Sequence, residues 1–310
     1  MNQDLDSLVI NFDKSGLWIL NITLAIIMFG VALGITTEDF RRLFKNPKIL
    51  FTGIFSQFIL FPALTFLLVK AINPSPSIAL GMFLVAACPG GNISNFMTQM
   101  AKGNSALSVS LTAFATLVCL VMTPLNFQFW SNLHEPTATI LKTIELDPFV
   151  LFRLVLLILG VPLVLGMIVR WKKPVIALKL MKYLKPFSII IFLLLITIAF
   201  SQNLEIFLSH IHYVFFIVII HNILGYILGF YFAKSMKLNF QNRKTLSIET
   251  GIQNSGLGLL LYFDFFYGIS GLDLGGMALL VAFWGVWDIA SGLLLATYWS
   301  KKDALKTIKT

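Results

Sequence analysis

Residues 88–98 read CPGGNISNFMT. They interrupt an apolar run that begins SIALGMFLVAA (77–87) and otherwise has the length and character of a membrane helix. A proline, two glycines, two asparagines and a serine at that depth predict a break. Backbone groups freed in lipid cost several kcal/mol each, so such a break is tolerated only inside protein or beside water. The stretch therefore marks a place where the chain uses its own discontinuity.

The composition supports a membrane setting. Of 310 residues, 57% are hydrophobic and 12% charged, with mean hydropathy +0.86. Soluble domains carry roughly 25% charged residues. The opening MNQDLDSLVINF (1–12) is acidic and has no basic n-region, so no cleavable signal peptide is expected. Cys88 and Cys119 lie in apolar runs and are expected to pack as small hydrophobes rather than bridge.

About 20 apolar residues cross the hydrocarbon layer. By that measure an all-α polytopic protein with nine spans is predicted: Leu17–Thr36, Ile49–Ala71, Ser77–Ala101, Ser105–Phe129, Pro148–Arg170, Pro186–Gln202, Tyr213–Ser235, Thr245–Tyr267 and Leu274–Ser300. Alternate loops and the C-terminal tail then hold nineteen of the 23 Lys and Arg residues. The positive-inside rule makes that side cytoplasmic, with the C-terminus inside and the N-terminus outside the cell membrane. The net charge of +9 is thereby accounted for without nucleic acid.

The break has a partner. ACPGGNISN (87–95) aligns with IETGIQNSG (248–256), sharing G-x-[N/Q]-x-S: Gly90 meets Gly251, Asn92 meets Gln253 and Ser94 meets Ser255. A fainter echo sets 38–70 against 202–234, where Gln57 meets His221. The order span, broken span, span occurs twice, and the two broken spans run in opposite senses. Inverted repeats with paired broken helices point to a secondary transporter and its binding site.

Glu249 sits in KTLSIETGIQNSGLGLLL (244–261), past the basic membrane edge and with no Lys or Arg in the apolar part of its span. A buried carboxylate is costly unless paired, so a cation from solution is the expected partner. Hard cations take oxygen ligands. Ser94 and Asn95 follow the first break; Ser108 and Thr112 share a helix face at i, i+4. Thr250, Ile252 and Gln253 stand at the second break, and Gln57 in the second span. The resumed half-helices, expected to start near Ile93 and Asn254, aim positive dipole ends inward, where Asn92 and Asn254 could hydrogen-bond an organic anion. Asp288, deep in the last span, is a candidate for substrate, cation or proton. Asn21, Thr23 and Asn222 are candidates for the cavity wall or for helix–helix bonding, and Asp264 is expected to be solvated near the outer edge. Na⁺-coupled symport is the leading expectation; the alternative is a proton-coupled transporter or antiporter using Glu249 and Asp288. No HExxH or GxSxG motif occurs, and the four histidines form no ligand pattern, so enzyme chemistry is not expected.

CPGGNISN (88–95), GNSALSVSLT (103–112), KTLSIETGIQNSGL (244–257) and SGLLLATYW (291–299) together resemble the bile acid:sodium symporter family, its bacterial members above all. The resemblance covers nearly the whole chain. It implies a panel domain (17–36 with 148–202), a core domain (49–129 with 213–300) and two crossing discontinuous helices, followed by a cytoplasmic tail (301–310). It implies two sodium ions. The first would use Ser94, Asn95, Ser108, Thr112 and Glu249; the second Gln57, Glu249, Gln253 and the carbonyls of Thr250 and Ile252. The cargo implied is a bile-acid-like or smaller organic anion. The sequence departs from bacterial relatives at Asn92, where they often carry Thr, and at Asp288–Ile289, where they often carry His-Asn. Those departures favour a small polar acid as cargo.

Overall fold

A computed structural model describes residues 14–144, 148–202, 204–267 and 274–307. Every regular element among them is helical. In chain order they are α1 (Lys14–Ala32), α2 (Thr37–Lys45), α3 (Pro47–Ile72), α4 (Pro76–Ala87), α5 (Ile93–Met100), α6 (Ser105–Leu133) and α7 (Glu135–Thr143). Then follow α8 (148–172), α9 (Pro174–Gln202), α10 (Leu204–Ser235), α11 (Phe240–Gly251), α12 (Ser255–Phe265) and α13 (Gly275–Thr307). Five of the described helices are long and apolar enough to cross a membrane, six if a bent pair is taken as one span. The chain is a multi-pass membrane protein.

Several boundaries differ from the predicted spans, for one reason. Hydropathy marks where a helix leaves the apolar layer; backbone hydrogen bonding carries it further. Thus α9 starts at Pro174 and runs through Pro186, with Lys179 and Lys182 exposed. In the same way α10 starts at Leu204 and α13 continues to Thr307. The segment after the first span is not a plain loop. Thr36 and Asp39 form a capping box that starts α2, which leaves the axis of α1 at 67°.

The third helix contains a π-turn over Ser56–Leu60. Pro62 lacks an N–H and cannot satisfy the carbonyl four residues back, that of Phe58. Asn126 Nδ2 donates to that oxygen at 2.8 Å. The π-turn carries Gln57 into the interior, where it is 3% exposed; such bulges often present functional side chains.

Both expected breaks are present, and they cross. Helix α4 ends because Pro89 forces Cys88 into an extended conformation (φ −71°, ψ 155°). Helix α11 ends at Gly251, with Ile252 extended (φ −93°, ψ 115°). Between them Gly90 and Gln253 form an antiparallel bridge. Gly91 N–H donates to the Ile252 carbonyl at 3.1 Å, and Asn254 N–H to the Pro89 carbonyl at 2.9 Å. A Cβ on Gly91 would lie 2.9 Å from the Gln253 carbonyl oxygen; the close approach requires glycine there. Helices α5 and α12 resume after Asn92 and Asn254, in agreement with the expected starts.

Around the crossing, α4 packs on α6 and α13, and α10 packs along α11. Helices α1, α8 and α9 pack on one another, α1 also touching α12 and α8 also touching α6. Cys88 and Cys119 are buried and free, packed in the apolar core as expected. The α10–α11 contact is tight: a Cβ on Gly229 would fall 2.4 Å from the Leu246 carbonyl oxygen and 2.9 Å from Ser247 Cα. Neither backbone atom can rotate away. Gly229→Val is therefore expected to destabilise by ~1–3 kcal/mol, read as a lower thermal-unfolding midpoint of the detergent-purified protein. Ile220→Ala, at an exposed position on the same helix, should leave the midpoint close to that of the unaltered chain.

Candidate functional site

The side chain of Glu249, in the last turn of α11, lies against the crossing and is 4% exposed. Three hydroxyls from two other elements reach it. Ser94 Oγ, in the first turn of α5, donates to Oε1 at 2.6 Å. Ser108 Oγ, from α6, donates to the same oxygen. Thr112 Oγ1, one turn later, donates to Oε2 at 2.9 Å. Thr112 also lies 3.3 Å from Asn95 Oδ1. The i, i+4 spacing of Ser108 and Thr112 and the adjacent Ser94 and Asn95 thus deliver a set of oxygens to one point. All are supplied by short side chains whose reach is fixed by helix geometry.

On the other side of the crossing, Gln57 Nε2 donates to the Glu249 carbonyl at 3.2 Å. Gln253 Nε2 donates to the Thr250 carbonyl at 2.8 Å. Gln253 Oε1 is buried with no hydrogen-bond partner among the described residues. An orphaned buried carbonyl oxygen carries a free-energy penalty and is an available cation ligand. Gly90 forms the floor between the two groups. A Cβ there would meet Gln57 Nε2 at 2.8 Å and both the carbonyl and Oε2 oxygens of Glu249 at 3.1 Å. The residues present therefore fit a hard monovalent cation: one carboxylate, neutral hydroxyl, amide and peptide oxygens, and a glycine where bulk is forbidden.

The two asparagines expected to face an anion differ. Asn254 Oδ1 accepts from Leu257 N–H at 3.1 Å and caps its own helix. Asn92 makes no side-chain cap bond to α5, so its amide is not committed to its helix. Both are half-buried, as is Ile93.

Asp288 is 2% exposed, and both its oxygens turn toward the second break. Asn222 Nδ2 donates to Oδ1 at 3.1 Å; the Gln253 N–H and Trp284 Nε1 each donate to Oδ2 at 3.0 Å. Asn222 itself is fully buried and bonds between helices. Asp264 is only half-exposed and accepts from Asn21 Nδ2 at 3.1 Å. The expectation of a solvated Asp264 is corrected: α1 and α12 meet there, and an amide partner covers one carboxylate oxygen.

Several further polar groups, not singled out by any sequence pattern, lie beside these residues. Ser56 Oγ lies 2.9 Å from Thr250 Oγ1, and Thr98 Oγ1 lies 3.3 Å from Ser108 Oγ. Lys244, just ahead of the predicted span that starts at Thr245, is fully buried. Its Nζ donates to the Ala101 carbonyl at 2.5 Å, where a cation complements the C-terminal end of α5. The available signal was its position only five residues before Glu249.

Comparison with known proteins bears on this arrangement. Residues 21–210 match the model of the Sodium Bile acid symporter family. The chain is 36% identical over 285 residues to "Uncharacterized sodium-dependent transporter YocS" of Bacillus subtilis (strain 168), covering 91% of this chain and 83% of that one. It is 31% identical over 241 residues to "Probable sodium/metabolite cotransporter BASS1, chloroplastic" of Arabidopsis thaliana, 77% of this chain and 58% of that one. It is 30% identical over 241 residues to the "Ileal sodium/bile acid cotransporter" of Mus musculus, 77% of this chain and 67% of that one. Family model and relatives alike describe transporters rather than enzymes, and the chain belongs to the sodium bile acid symporter family.

Proposed function

We propose that this protein is a secondary active transporter that carries an organic anion, bile-acid-like or a small carboxylate, together with Na⁺ by alternating access. The observation that carries the reading is Glu249, buried under the hydroxyls of Ser94, Ser108 and Thr112 beside a pair of crossed helix breaks. Two ions are proposed. One is held by Ser94, Asn95, Ser108, Thr112 and Glu249. The other is held by Gln57, Glu249, Gln253 and the carbonyls of Thr250 and Ile252. In support, the hydroxyls that donate to Glu249 can rotate their lone pairs to an ion, and Gln253 Oε1 lacks another partner among the described residues.

Cargo recognition is assigned to the N-terminal ends of the half-helices, through Asn92, Ile93 and Asn254. Coupling follows from adjacency along the chain. Asn92 and Ile93 directly precede Ser94 and Asn95, and Asn254 directly follows Gln253. An ion that orders the first turn of α5 also orders the amide and N–H groups aimed at the anion, which is a favourable coupling free energy between two sites. The proposed frame has nine spans, with the N-terminus outside and the C-terminus in the cytoplasm. The mutual packing of α1, α8 and α9 supports a panel that moves against a core containing the crossing.

In proteoliposomes, uptake of an organic acid identified by a thermal-shift screen should require Na⁺ and fail with K⁺ or choline. Glu249→Ala should reduce that uptake to background while the purified protein still elutes as a single species. Undiminished uptake in Na⁺-free buffer would overturn the reading. Gly90→Ala places a methyl against Gln57 and Glu249. It is expected to raise the Na⁺ concentration for half-maximal stabilisation by about tenfold, the scale of a disturbed supporting shell.

A further inference from the structure

The peptide unit linking Ile252 and Gln253 carries an unusual pair of bonds. Its N–H donates to Asp288 Oδ2 at 3.0 Å, while its C=O accepts from Gly91 N–H at 3.1 Å across the crossing. The unit is planar, so holding one end orients the other. The neighbouring unit is held too: Asn222 Nδ2 donates to the Gly251 carbonyl at 2.9 Å and, with its second hydrogen, to Asp288 Oδ1 at 3.1 Å. Trp287 Nε1 fixes the other face of Asn222 through its Oδ1 at 3.2 Å. Asp288 and Asn222 thus clamp two consecutive peptides in the one segment of this half that has left the helix.

The Asp288 carboxylate has no ion-pair partner among the described residues, whose salt bridges are confined to Glu38 with Arg41 and Arg42. Its bonds come from three neutral N–H donors. A carboxylate that accepts an amide N–H pushes electron density onto the amide oxygen, because hydrogen bonds in series polarise one another. The Ile252 oxygen has a second lone pair beyond the one taken by Gly91. With 2% of its surface exposed and both oxygens engaged, Asp288 is poorly disposed to touch cargo and well disposed to act on that carbonyl.

We infer that Asp288 is a positioning residue for the cation site at the second break, orienting the Ile252 carbonyl and strengthening it as an ion ligand. The role parallels that of carboxylates behind metal-bound histidines. It rests on the ion assignment made under the proposed function, and it replaces a direct substrate contact with an indirect effect on ion affinity.

The test is a Na⁺ titration of thermal unfolding of the full chain in detergent, with choline balancing ionic strength. Asp288→Asn keeps the shape and removes the charge. It is expected to raise the Na⁺ midpoint by about tenfold, at the lower end of the 10–100-fold typical of supporting-shell losses. The same variant should retain a Na⁺ response, whereas Glu249→Gln should lose it. A Na⁺ midpoint equal to that of the unaltered chain in Asp288→Asn, with only the unfolding temperature in choline lowered, would overturn the inference and make Asp288 a packing element. If Asp288→Asn does not fold, Asn222→Ala serves: a severalfold weaker Na⁺ midpoint is expected, and an unchanged one overturns the clamp. Absence of any Na⁺ response in the unaltered chain would remove the ion site itself. A normal response that Glu249→Gln abolishes and Asp288→Asn leaves untouched would remove this inference alone.

Discussion

A peptide group in the middle of a bilayer has no water to bond, and the architecture around the crossing follows from that constraint. Two helices stop short and resume, which frees N–H and C=O groups at depth. The freed groups of one break find those of the other: Gly91 bonds Ile252 and Asn254 bonds Pro89. Others are taken by side chains, most of them from neighbouring helices. Thr123 donates to the Ala87 carbonyl, Asn222 to Gly251, and Gln57 to Glu249, while Asp288 accepts from Gln253. Each partner is a polar residue that would be an unexplained liability in a membrane helix, and each is explained by the break.

The same accounting produces the site. Bringing two breaks within bonding distance requires glycine at 91, where a Cβ would strike the opposing Gln253 carbonyl, and favours it at 90, where a Cβ would crowd Gln57 and Glu249. The space so cleared is where Glu249, Gln57 and Gln253 converge. A carboxylate in that position is tolerable because three hydroxyls donate to it, and a hydroxyl can use the same oxygen either to donate to a carboxylate or to ligate a cation. The arrangement is thus suited to two conditions of occupancy without backbone rearrangement. In the proposed coupling of ion to cargo, both sides would be carried by four consecutive residues, Asn92 to Asn95, at the start of α5.

Much of this was legible in the linear chain. Pro89 with two glycines announces a break because proline forbids the helix and glycine permits close contact, and its echo at 251–255 announces a second. Ser108 and Thr112 could be placed together because helix periodicity is fixed. Other features were hidden for equally physical reasons. The ends of α9, α10 and α13 ran past the apolar segments, because hydrogen bonding in a helix does not stop where hydropathy does. Asp264 read as a surface charge because nothing in its own span reveals that Asn21, 243 residues away, donates to it. Lys244 read as a topology signal because a basic residue near a membrane edge usually is one.

The sequence by itself determined what is local: the breaks, the helical character and the oxygen-bearing residues beside a lone carboxylate. Those depend on backbone sterics and periodicity, which act over a few residues. Only the tertiary structure decided what is paired. That Gly90 faces Gln253, that Asn254 spends its side-chain oxygen on its own helix while Asn92 does not, and that Asp288 turns toward the Gln253 amide are contacts between distant segments or choices of rotamer. Hydrogen-bond direction and close packing settle them in three dimensions, and no one-dimensional pattern encodes them.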